Sequence, residues 1–401
     1  MKIVHVEDNF LPTSGYQLNF IAKWNVRHGH EVTIVVSDSL LPWTSVGFTS
    51  NSLEKMDREY ESQYGVKIVR VHSKRRISGR EVLDRQLFQI TDDEKPDVVM
   101  VHGFGTLTGL RFIWKLGRLD YPTISDSHMY PVASVNRFAK VFKIYVRKLV
   151  TPKIERFSLK IVAVSPATKR FMMDSYRIPS ELIPVIPFGT DTDLFKPDTS
   201  QRSLTRTELG ISEDAFVLIY TGKIAEDKKV LLLAEAFANI CRQKTSGNPV
   251  LIIVGSGSGS YYEKVIHTLE SVNEYVRYVP TQEVWNLPKF YQAADLAVWP
   301  GACSLSFFDA QACGLPVIAE NIAGNDERLS HNNGWLFNPD SLSDLEDKIK
   351  EALRLSSEEL KQKGYRGMEI AVKNQSYDKI SREFEELMIQ EIERFRKGGR
   401  K

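Results

Sequence analysis

The stretch WPGACSLSFFDAQACGLPVI, residues 299–318, decides the fold of this 401-residue chain. It is typical of an apolar strand, a loop of small residues and a helix with one carboxylate, Asp309, in its early turns. A second stretch, TGKIAEDKK at 221–229, predicts a strand end, a glycine turn and the lysines Lys223 and Lys228. Helix starts expose unpaired amide N–H groups and a partial positive charge, which favour anionic oxygens. With lysines for a diphosphate and a carboxylate for a ribose diol, these stretches predict a site for a nucleoside-diphosphate compound.

Apolar strands alternate with helical segments on both sides of these stretches. In the first half, helices are predicted at 16–28 and 167–176, and strands at 2–6, 31–36, 66–71, 97–101, 122–125, 161–164 and 183–186. A polar stretch at 196–208 reads as a linker. The alternation then restarts, with strands predicted at 216–221, 250–254, 276–279, 296–299 and 316–319. Such alternation indicates parallel sheets that are covered by helices on both faces.

The length of the chain favours two domains, because single hydrophobic cores stop growing at about 250–300 residues. We expect an α/β protein of two doubly wound Rossmann-like domains that face a cleft, where such folds bind ligands. The predicted divisions are 1–195 for an N-terminal domain and 196–380 for a C-terminal domain. Residues 381–401 are expected to form a C-terminal helix, with packing back on the N-terminal domain left open.

Composition narrows the class of protein and its partners. The net charge is only +2 with 26% charged residues, which gives no global field for nucleic acid. The three cysteines, Cys241, Cys303 and Cys313, are odd in number and contain no C-x-x-C pair, as in a reduced intracellular protein without structural zinc. The N-terminus lacks the apolar region of a signal peptide, and no apolar run reaches the roughly 18 residues of a membrane span. We expect a cytoplasmic protein, with association with the inner face of the cell membrane left open.

Motifs spread over residues 2–340 resemble those of the GT-B glycosyltransferases, specifically the retaining enzymes of family 4, the glycosyl transferases group 1. In the first half the resemblance is carried by TSGYQ with Gly15, PTISDSHMY with His128, AVS at 163–165 and PFGTDTDLF at 187–195. In the second half it is carried by Gly222 with Lys223 and Lys228, by VGSG with Gly255 and Gly257, by DAQACGLPV at 309–317 and by Glu327.

The resemblance implies that the N-terminal domain, 1–195, binds the acceptor and that the C-terminal domain, 196–380, binds the nucleotide sugar. It also implies roles for these residues. The donor-binding set is Gly15, Gly222, Gly255, Gly257, Cys303, Ser304, Leu305, Asp309 and Glu327, and the catalytic set is His128, Lys223 and Lys228. The lysines would stabilise charge on the departing diphosphate. His128 would lie beside the donor sugar, with Asp126 and His102 as candidate supports. The leaving phosphate itself would accept the proton of the acceptor hydroxyl on the same face, which gives retention.

The chain departs from the family pattern in the loop before Asp309. Family members usually carry two glutamates separated by seven residues; here the second is Asp309 and the first position is Gly301. That first glutamate normally contacts the hydroxyls of the donor sugar, so backbone amides at 301–305 are expected to substitute for it. Lysine replaces the usual arginine at Lys223, which keeps the charge but loses bidentate geometry. Phe188 stands where an asparagine is usual.

Each site residue also has a plain structural reading. The lysines could be solvated surface residues, Asp309 an ordinary residue near a helix start, and His128 a structural histidine. Asp191 and Asp193 form a D-x-D triplet, but their position in an interdomain turn favours a linker over a metal site. We therefore expect no cofactor and no metal, with the nucleotide sugar as substrate. The glycines at 255–259 only approximate a dinucleotide fingerprint, because the sixth position is Ser260.

Residues 137–160 hold eight Lys or Arg against one acid, Glu155. Helical spacing predicts an apolar stripe opposite a basic face, formed by Phe138, Phe142, Tyr145 and Leu149 against Lys140, Lys143 and Arg147. Pro152 should interrupt the helix. Such a helix is either an acceptor or membrane patch for anionic lipid or a core-facing helix with a solvated back. Basic residues at 74–85 could extend the patch.

We expect a glycosyltransferase, hexosyl- or N-acetylhexosaminyl-, that moves a sugar from a nucleotide-diphosphate donor to an acceptor hydroxyl with retention. A UDP-sugar is favoured as donor, and the acceptor is expected to be a lipid-linked or surface-polysaccharide glycan. No nucleic-acid partner is expected. Two other readings stay open: a non-catalytic relative, favoured by the missing glutamate, and a dinucleotide-dependent oxidoreductase.

Overall fold

The computed structural model describes residues 1–39, 50–77, 80–129, 139–243, 248–302, 305–322 and 324–398, except for the side chains at 50, 51 and 327. The chain divides into two compact units, Met1–Phe188 with Tyr377–Lys401, and Gly189–Ser376. Each unit has a parallel sheet with helices in its connections, which confirms the predicted pair of doubly wound α/β domains. None of the helices within the described ranges is long and apolar enough to cross a membrane.

The first unit begins with β1 and alternates strands with helices. Its strands are β1 (Lys2–Glu7), β2 (Glu31–Ser37), β3 (Lys67–Val71), β4 (Ser73–Ile77), β5 (Arg80–Leu83), β6 (Val98–Val101), β7 (Thr123–Ser127) and β8 (Ile161–Ala163). Its helices before the unit boundary are α1 (Gln17–Arg27), α2 (Ser50–Tyr64), α3 (Gln86–Asp93), α4 (Leu107–Lys115), α5 (Ala139–Tyr145), α6 (Thr151–Phe157) and α7 (Pro166–Tyr176). A π-helical turn, Val146–Val150, joins α5 to α6.

The second unit follows the same plan. Its strands are β9 (Phe216–Thr221), β10 (Pro249–Val254), β11 (Val276–Val279), β12 (Leu296–Trp299), β13 (Val317–Glu320) and β14 (Gly334–Phe337). Its helices are α8 (Thr199–Glu208), α9 (Val230–Arg242), α10 (Gly259–Glu270), α11 (Leu287–Ala293), α12 (Ser306–Ala312), α13 (Asn325–Arg328), α14 (Leu342–Arg354) and α15 (Ser357–Gln375). The last helix, α16 (Tyr377–Gly398), belongs to the first unit and packs against α1.

The central strands are buried on both faces, as parallel sheets require. In β1 the run Ile3–Val6 is fully buried, and β10 and β12 are buried along their whole length. The starts of α7 and α4 are fixed by side-chain caps: Ser165 accepts from the amide of Thr168 at the start of α7, and Thr106 accepts from the amide of Gly109 at the start of α4. These caps hold the loops after the strands in place.

The strand order places a crevice in each sheet. The orders are β3-β2-β1-β6-β7-β8 in the first unit and β11-β10-β9-β12-β13-β14 in the second. The direction of winding therefore reverses between β1 and β6, and between β9 and β12. In open α/β sheets ligands bind outside the carboxyl ends of the strands at such switch points.

Two predicted segments are wrong. The polar stretch at 196–208 is not a linker throughout, because 199–208 forms α8, whose Arg206 is fully buried and bonded to Asp295 at 2.8 Å. The stretch 183–186 is not a strand; it contributes one isolated bridge, between Val185 and Ala163. Pro184 removes one backbone donor there, which limits strand pairing. Strand β14 and the antiparallel hairpin of β4 with β5 were not predicted.

Candidate functional site

The two site lysines lie at the switch point of the second sheet. Lys223 follows β9, and Lys228 closes a 3-10 turn, Glu226–Lys228. The Lys228 ammonium donates to the carbonyl of Ala302, 3.0 Å away in the loop after β12, and the Ala302 amide donates to the Asp227 carbonyl at 3.2 Å. The loops that follow β9 and β12 are therefore tied together across the crevice.

The electrostatics of this crevice favour an anion. Burial lowers the pKa of Lys223; the carboxylate of Asp227 acts in the opposite direction, and the positive charge of Lys228 lowers the pKa further. The two lysines are thus close enough to repel each other. Lys228 is half-buried and Lys223 is exposed, and the carboxylate of Asp227 lies 3.5 Å from the Lys228 ammonium. A negatively charged group that binds beside the two lysines would relieve their remaining repulsion.

Glycines allow three loops to meet at this edge of the sheet. A β-carbon on Gly255 would lie 1.9 Å from the carbonyl oxygen of Gly222, and one on Gly257 would lie 2.4 Å from that of Ile224. A β-carbon on Gly301 would lie 2.6 Å from the Asp227 carbonyl oxygen. Any side chain at these positions would push the loops apart. The glycines at 255 and 257 therefore have a close-approach role here, whatever their contact with a donor.

Asp309 occupies the first turn of α12 and is 7% exposed. Its Oδ1 accepts a hydrogen bond from the Thr190 hydroxyl at 2.7 Å. Burial raises the pKa of Asp309 to about 8, against the effect of the Thr190 bond, and the charge of Asp191 raises it further. Burial makes the ionised form of this carboxyl unfavourable, and further hydroxyl donors would stabilise it.

Of the other residues predicted to contact the donor in the second unit, some lie outside the described residues. Leu305 lies immediately before α12. Cys303 and Ser304 lie outside the described residues, and so does the side chain of Glu327, whose backbone belongs to α13.

The D-x-D triplet forms part of a turn. The Asp191 carbonyl accepts from the amides of Leu194 and Phe195, at 3.0 and 2.8 Å, and Asp191 is 1% exposed. The backbone of Asp191 therefore takes part in a turn, in agreement with the interpretation of this segment as a linker. In the rival glycine stretch, Gly259 already begins α10 with a φ of +77°.

Gly15 and His128 lie in the first unit. Gly15 has a φ of +68°, a left-handed conformation that glycine adopts freely, in the turn before α1. His128 follows β7; its side chain is 43% exposed and its Nε2 lies 3.5 Å from Oδ2 of Asp126. The ring of Phe188, at the position where the family has asparagine, packs edge-on against the His128 ring with centroids 5.0 Å apart.

Asp126 contacts both His128 and His102, whereas His102 is linked to His128 through Asp126. Asp126 is fully buried and its Oδ2 accepts from Nδ1 of His102 at 2.7 Å, while its Oδ1 accepts from the amide of Gly103 at 2.6 Å. Burial opposes ionisation of Asp126, but the His102 and His128 rings hold the pKa of that carboxyl well below its usual range.

The end of β1 holds polar residues that sequence reasoning missed. Burial raises the pKa of Glu7 to about 7, although the His102 ring acts against it. Asp8 is 1% exposed and accepts from the Thr108 hydroxyl at 2.6 Å through Oδ1, while its Oδ2 has no partner. The side-chain amides of Asn9 and Gln17 are buried without partners. The signal was available: acidic and amide residues directly after a buried strand, at the switch point.

The basic helix differs from the predicted stripe. Phe142 and Tyr145 pack against the core as expected, but Leu149 is 54% exposed, because the π-helical turn adds a residue and turns Val146 and Val150 inward. Pro152 does not interrupt the helix; it lies in the first turn of α6, where its missing N–H costs nothing. Phe138 lies outside the described residues.

The exposed face combines apolar and basic side chains. Val141 and Ile144 are 65% and 55% exposed, and Lys140 and Arg147 are exposed beside them. Lys143 is half-buried, with its ammonium 5.4 Å from the centre of the Phe171 ring. Among the basic residues at 74–85, Lys74 is paired with Asp84 at 2.7 Å and Arg76 is paired with Glu81.

Comparison with known families identifies both halves of the chain. Residues 19–194 match the model of Glycosyltransferase Family 4, and residues 201–368 match that of Glycosyl transferases group 1. A D-inositol 3-phosphate glycosyltransferase of Geodermatophilus obscurus is 33% identical over 175 residues, 41% of this chain and 38% of that protein. A lipopolysaccharide 1,2-N-acetylglucosaminetransferase of Salmonella typhimurium is 27% identical over 250 residues, 59% of this chain and 64% of that protein. The chain thus spans less than two thirds of either relative.

Solved structures with the same fold cover nearly the whole chain. A glycosyltransferase from Rickettsia africae superposes with a TM-score of 0.73 at 16% identity, over 98% of both chains. HepE of Anabaena in complex with UDP superposes with a TM-score of 0.74 at 17% identity, over 97% of this chain and 100% of that one. These likenesses establish the GT-B fold. Together with the two family matches, which follow each other along the sequence, they show that the chain belongs to the glycosyl transferases group 1 of glycosyltransferase family 4.

Proposed function

We propose that this chain is a retaining glycosyltransferase that transfers a sugar from a nucleoside-diphosphate sugar to an acceptor hydroxyl. The observation that supports this proposal is the pair of lysines, Lys223 and Lys228, on glycine-lined loops at the switch point of the second sheet. Two cations near each other at the edge of the sheet suit the diphosphate, whose negative charge grows as the sugar–phosphate bond breaks. No metal takes part in this proposal; the ammonium groups supply the positive charge.

The donor is proposed to be a UDP-sugar. HepE of Anabaena, which shares the fold, has been solved in complex with UDP and with UDP-glucose. The carboxyl of Asp309 is proposed to take the ribose diol, whose hydroxyls would supply the hydrogen-bond donors that a buried carboxylate needs. The transferred sugar is proposed to be a hexose or an N-acetylhexosamine, the latter as in the name of the Salmonella relative.

The first unit is proposed to supply the acceptor side. His128, exposed at the end of β7, would hydrogen-bond the transferring sugar, and the leaving phosphate would accept the acceptor proton. The unpartnered groups of Asp8, Asn9 and Gln17 offer both donors and acceptors at the crevice between β1 and β6. Such a mixed set suits the hydroxyls of a glycan, because each hydroxyl both donates and accepts. A lipid-linked or surface-polysaccharide glycan fits this chemistry.

A panel of UDP-, GDP- and ADP-sugars, with release of free nucleotide as the readout, tests the proposal. One class of donor should be turned over, and Lys223→Ala with Lys228→Ala should lower turnover by about 100-fold or more, as loss of transition-state charge stabilisation does elsewhere. Lys264→Ala removes an exposed lysine of the same unit and should leave turnover unchanged. A double variant as active as the wild type would contradict the proposed role of the lysines.

A non-catalytic binding subunit is the second candidate, and Gly301 is the observation that favours it. A glutamate at this position would clash with the Asp227 carbonyl, since even a β-carbon lies 2.6 Å from it. The chain therefore has no room for the usual sugar-contacting acid. Nucleotide binding by calorimetry without turnover of any donor would favour this second candidate.

The helical segment 139–150 is proposed to contact an anionic membrane surface. Val141, Ile144 and Leu149 are exposed apolar side chains beside exposed Lys140 and Arg147, the composition of an interfacial helix. Flotation with vesicles that contain anionic lipid should recover the protein, and flotation with neutral vesicles should not. Val141→Ser with Ile144→Ser should weaken recovery; recovery that is equal on both kinds of vesicle would contradict the proposal.

A further inference from the structure

A continuous chain of side-chain contacts leads from His128 into the core of the first unit. Asp126 lies 3.5 Å from His128 and 2.7 Å from Nδ1 of His102. Nε2 of His102 lies 3.1 Å from Nδ1 of His5, in β1, and the two rings are stacked. Nε2 of His5 lies 3.2 Å from Oδ1 of Asn25, in α1.

The far end of this series of side-chain contacts is held by α16. The Asn25 amide nitrogen donates to Oε1 of Glu385 at 2.6 Å, and the same oxygen lies 2.8 Å from Nδ1 of His28. Because a carboxylate can only accept, the NH₂ group of Asn25 must face Glu385. The carbonyl oxygen of Asn25 therefore faces His5, and this fixes the direction of every hydrogen bond that follows.

The proton count can be worked out from that end. The Asn25 carbonyl can only accept, so Nε2 of His5 carries a proton. Asp126 can only accept, so Nδ1 of His102 carries a proton. One further proton must lie between Nδ1 of His5 and Nε2 of His102, since otherwise two lone pairs would face each other at 3.1 Å. The two histidines together therefore carry one positive charge, which balances the buried charge of Asp126.

The surroundings place that charge on His102. Burial opposes a charge on His102, yet the charge and the hydrogen bond of Asp126, with the charge of Glu7, leave the pKa of His102 raised. His5 is fully buried beside the neutral Asn25, and burial with the charge of His102 lowers the pKa of His5 to about 3. Among the described residues, the titratable groups acting on the pair formed by His102 and Asp126 are His5 and Glu7 from β1 and His128 after β7.

We infer that His102 is a positioning residue for His128: as an imidazolium locked between Asp126 and His5, it compensates the buried charge of Asp126, which would otherwise act on His128 alone. A neutral His128 can donate one hydrogen bond and accept another at a sugar hydroxyl, whereas an imidazolium can only donate. Without His102, the buried negative charge of Asp126 would be compensated by His128 alone. His128 would then take up a proton at higher pH, because a nearby opposite charge favours the charged form.

Nitrogen-15 NMR of the full chain labelled at histidine tests the inference without any substrate. In the wild type at pH 7, His102 should show two protonated ring nitrogens, and His5 only a protonated Nε2. In His102→Gln, the His128 ring should become protonated at a pH higher by about one unit. His102 with a single ring proton at pH 7, or a His128 titration unchanged in the variant, would overturn the inference. The wild-type proton count decides the matter even where His102→Gln does not fold.

Two matched variants separate the positioning role from other effects. His72→Gln removes a 70%-exposed histidine that pairs with Asp38, and it should leave the His128 titration unchanged. Glu7→Gln removes the other carboxyl that faces His102 and should leave both ring protons of His102 in place. Loss of either proton in Glu7→Gln would show that Glu7, rather than Asp126, holds the charge.

The pH dependence of turnover gives a second readout, which rests on the proposed function. With the donor identified by the sugar panel, the acidic limb of kcat/KM should move up by about one pH unit in His102→Gln but not in His72→Gln. An unmoved limb, with the NMR result as expected, would show that His102 compensates the charge of Asp126 but that protonation of His128 does not limit transfer. Because the NMR proton count needs no donor, failure of the proposed function and failure of this inference give different results.

Discussion

At Asp309, burial opposes the ionisation of a carboxyl group that we propose binds the donor. Its carboxyl is 7% exposed, bonds to the Thr190 hydroxyl and has a pKa that burial raises to about 8. The unfolded value lies near 4, so between these two values the folded state binds more protons than the unfolded state. The stability of the second unit should therefore fall as the pH rises from about 4 to about 8.

Asp309→Asn should remove this pH dependence. At pH 8 the variant should be more stable than the wild type by about 1–3 kcal/mol, the usual cost of a poorly compensated buried polar group. At pH 4, where the native carboxyl is protonated, the two should be nearly equal. Urea unfolding at both pH values measures the difference, with Asp347→Asn, an exposed position of the same unit, as control. A variant that is less stable than the wild type at pH 8 would show that Asp309 is charged and well paired.

Residue types in their strand contexts were enough to place Lys223, Lys228 and His128 at the ends of strands. They were not enough to reveal the far end of the network that begins at His128, because Asn25 and Glu385 are 360 residues apart. Contacts of that kind depend on the packing of α16 against α1, which no local pattern encodes. The burial of Asp309 agrees with its apolar flanks, but its bond to Thr190 arises only in the folded unit.

The loops after β9, β10 and β12 form the element on which the proposed site depends. The Gly222 amide donates to the Val254 carbonyl at 3.0 Å, and the Ile224 amide donates to the Ser256 carbonyl at 3.0 Å. The two loops thus continue the pairing of β9 with β10 beyond the strands. The glycines were read from the sequence as a turn that lines a nucleotide; their close backbone contacts were not readable from it.

Gly255→Ala should disturb the contact between the loops after β9 and β10 and leave the rest of the second unit unchanged. An added methyl group would lie 1.9 Å from the Gly222 carbonyl oxygen, so the loop that carries Lys223 must shift. We expect a loss of about 1–3 kcal/mol in stability, typical of overpacking, and weaker nucleotide binding. Gly210→Ala, where nothing lies within 4 Å but φ is +61°, is the control for backbone strain alone. Equal nucleotide affinity in Gly255→Ala and the wild type would show that this loop does not set the position of Lys223.

At the element scale, sequence periodicity found the buried strands better than the polar helices. The strands β9 to β13 were predicted to within a residue or so, because continuous apolar runs are unambiguous. Helix α8 was missed because its sequence is polar, and because its buried residues, Thr205 and Arg206, are not apolar. Arg206 is held by carbonyls and by Asp295, partners that a hydropathy pattern does not show.

At the scale of the whole molecule, the chain passes between its two units twice. It leaves the first unit after Phe188 and returns to it at Tyr377. The returning helix, α16, buries Tyr377, Ile380, Phe384 and Met388 within the first unit. The alternation of strands and helices predicted two sheets, but the unit that takes up the last helix cannot be deduced from a local pattern.

A chain that ends at Ser376 should therefore lose the stability of the first unit and retain the second. Fully burying an apolar side chain contributes about 1.5–3 kcal/mol, so losing four approaches the whole stability of a typical domain. Hydrogen exchange should show lost protection in α1 and β1 with protection kept in β9 and β10. A chain that ends at Gly398 is the control and should behave as the full chain does. Protection of α1 retained in the shorter chain would contradict this assignment of α16.

The most direct test of the central claim is calorimetric titration of the wild type and of the Lys223→Ala, Lys228→Ala double variant with UDP, GDP and ADP. We predict that one nucleoside diphosphate, UDP, binds the wild type and that the double variant binds it at least about 10-fold more weakly, since each charge-assisted hydrogen bond contributes about 1.5–3 kcal/mol. The corresponding nucleoside without phosphates should bind both proteins alike. Absence of binding by all three diphosphates, or equal affinity of the wild type and the double variant, would contradict the claim that these lysines hold a diphosphate.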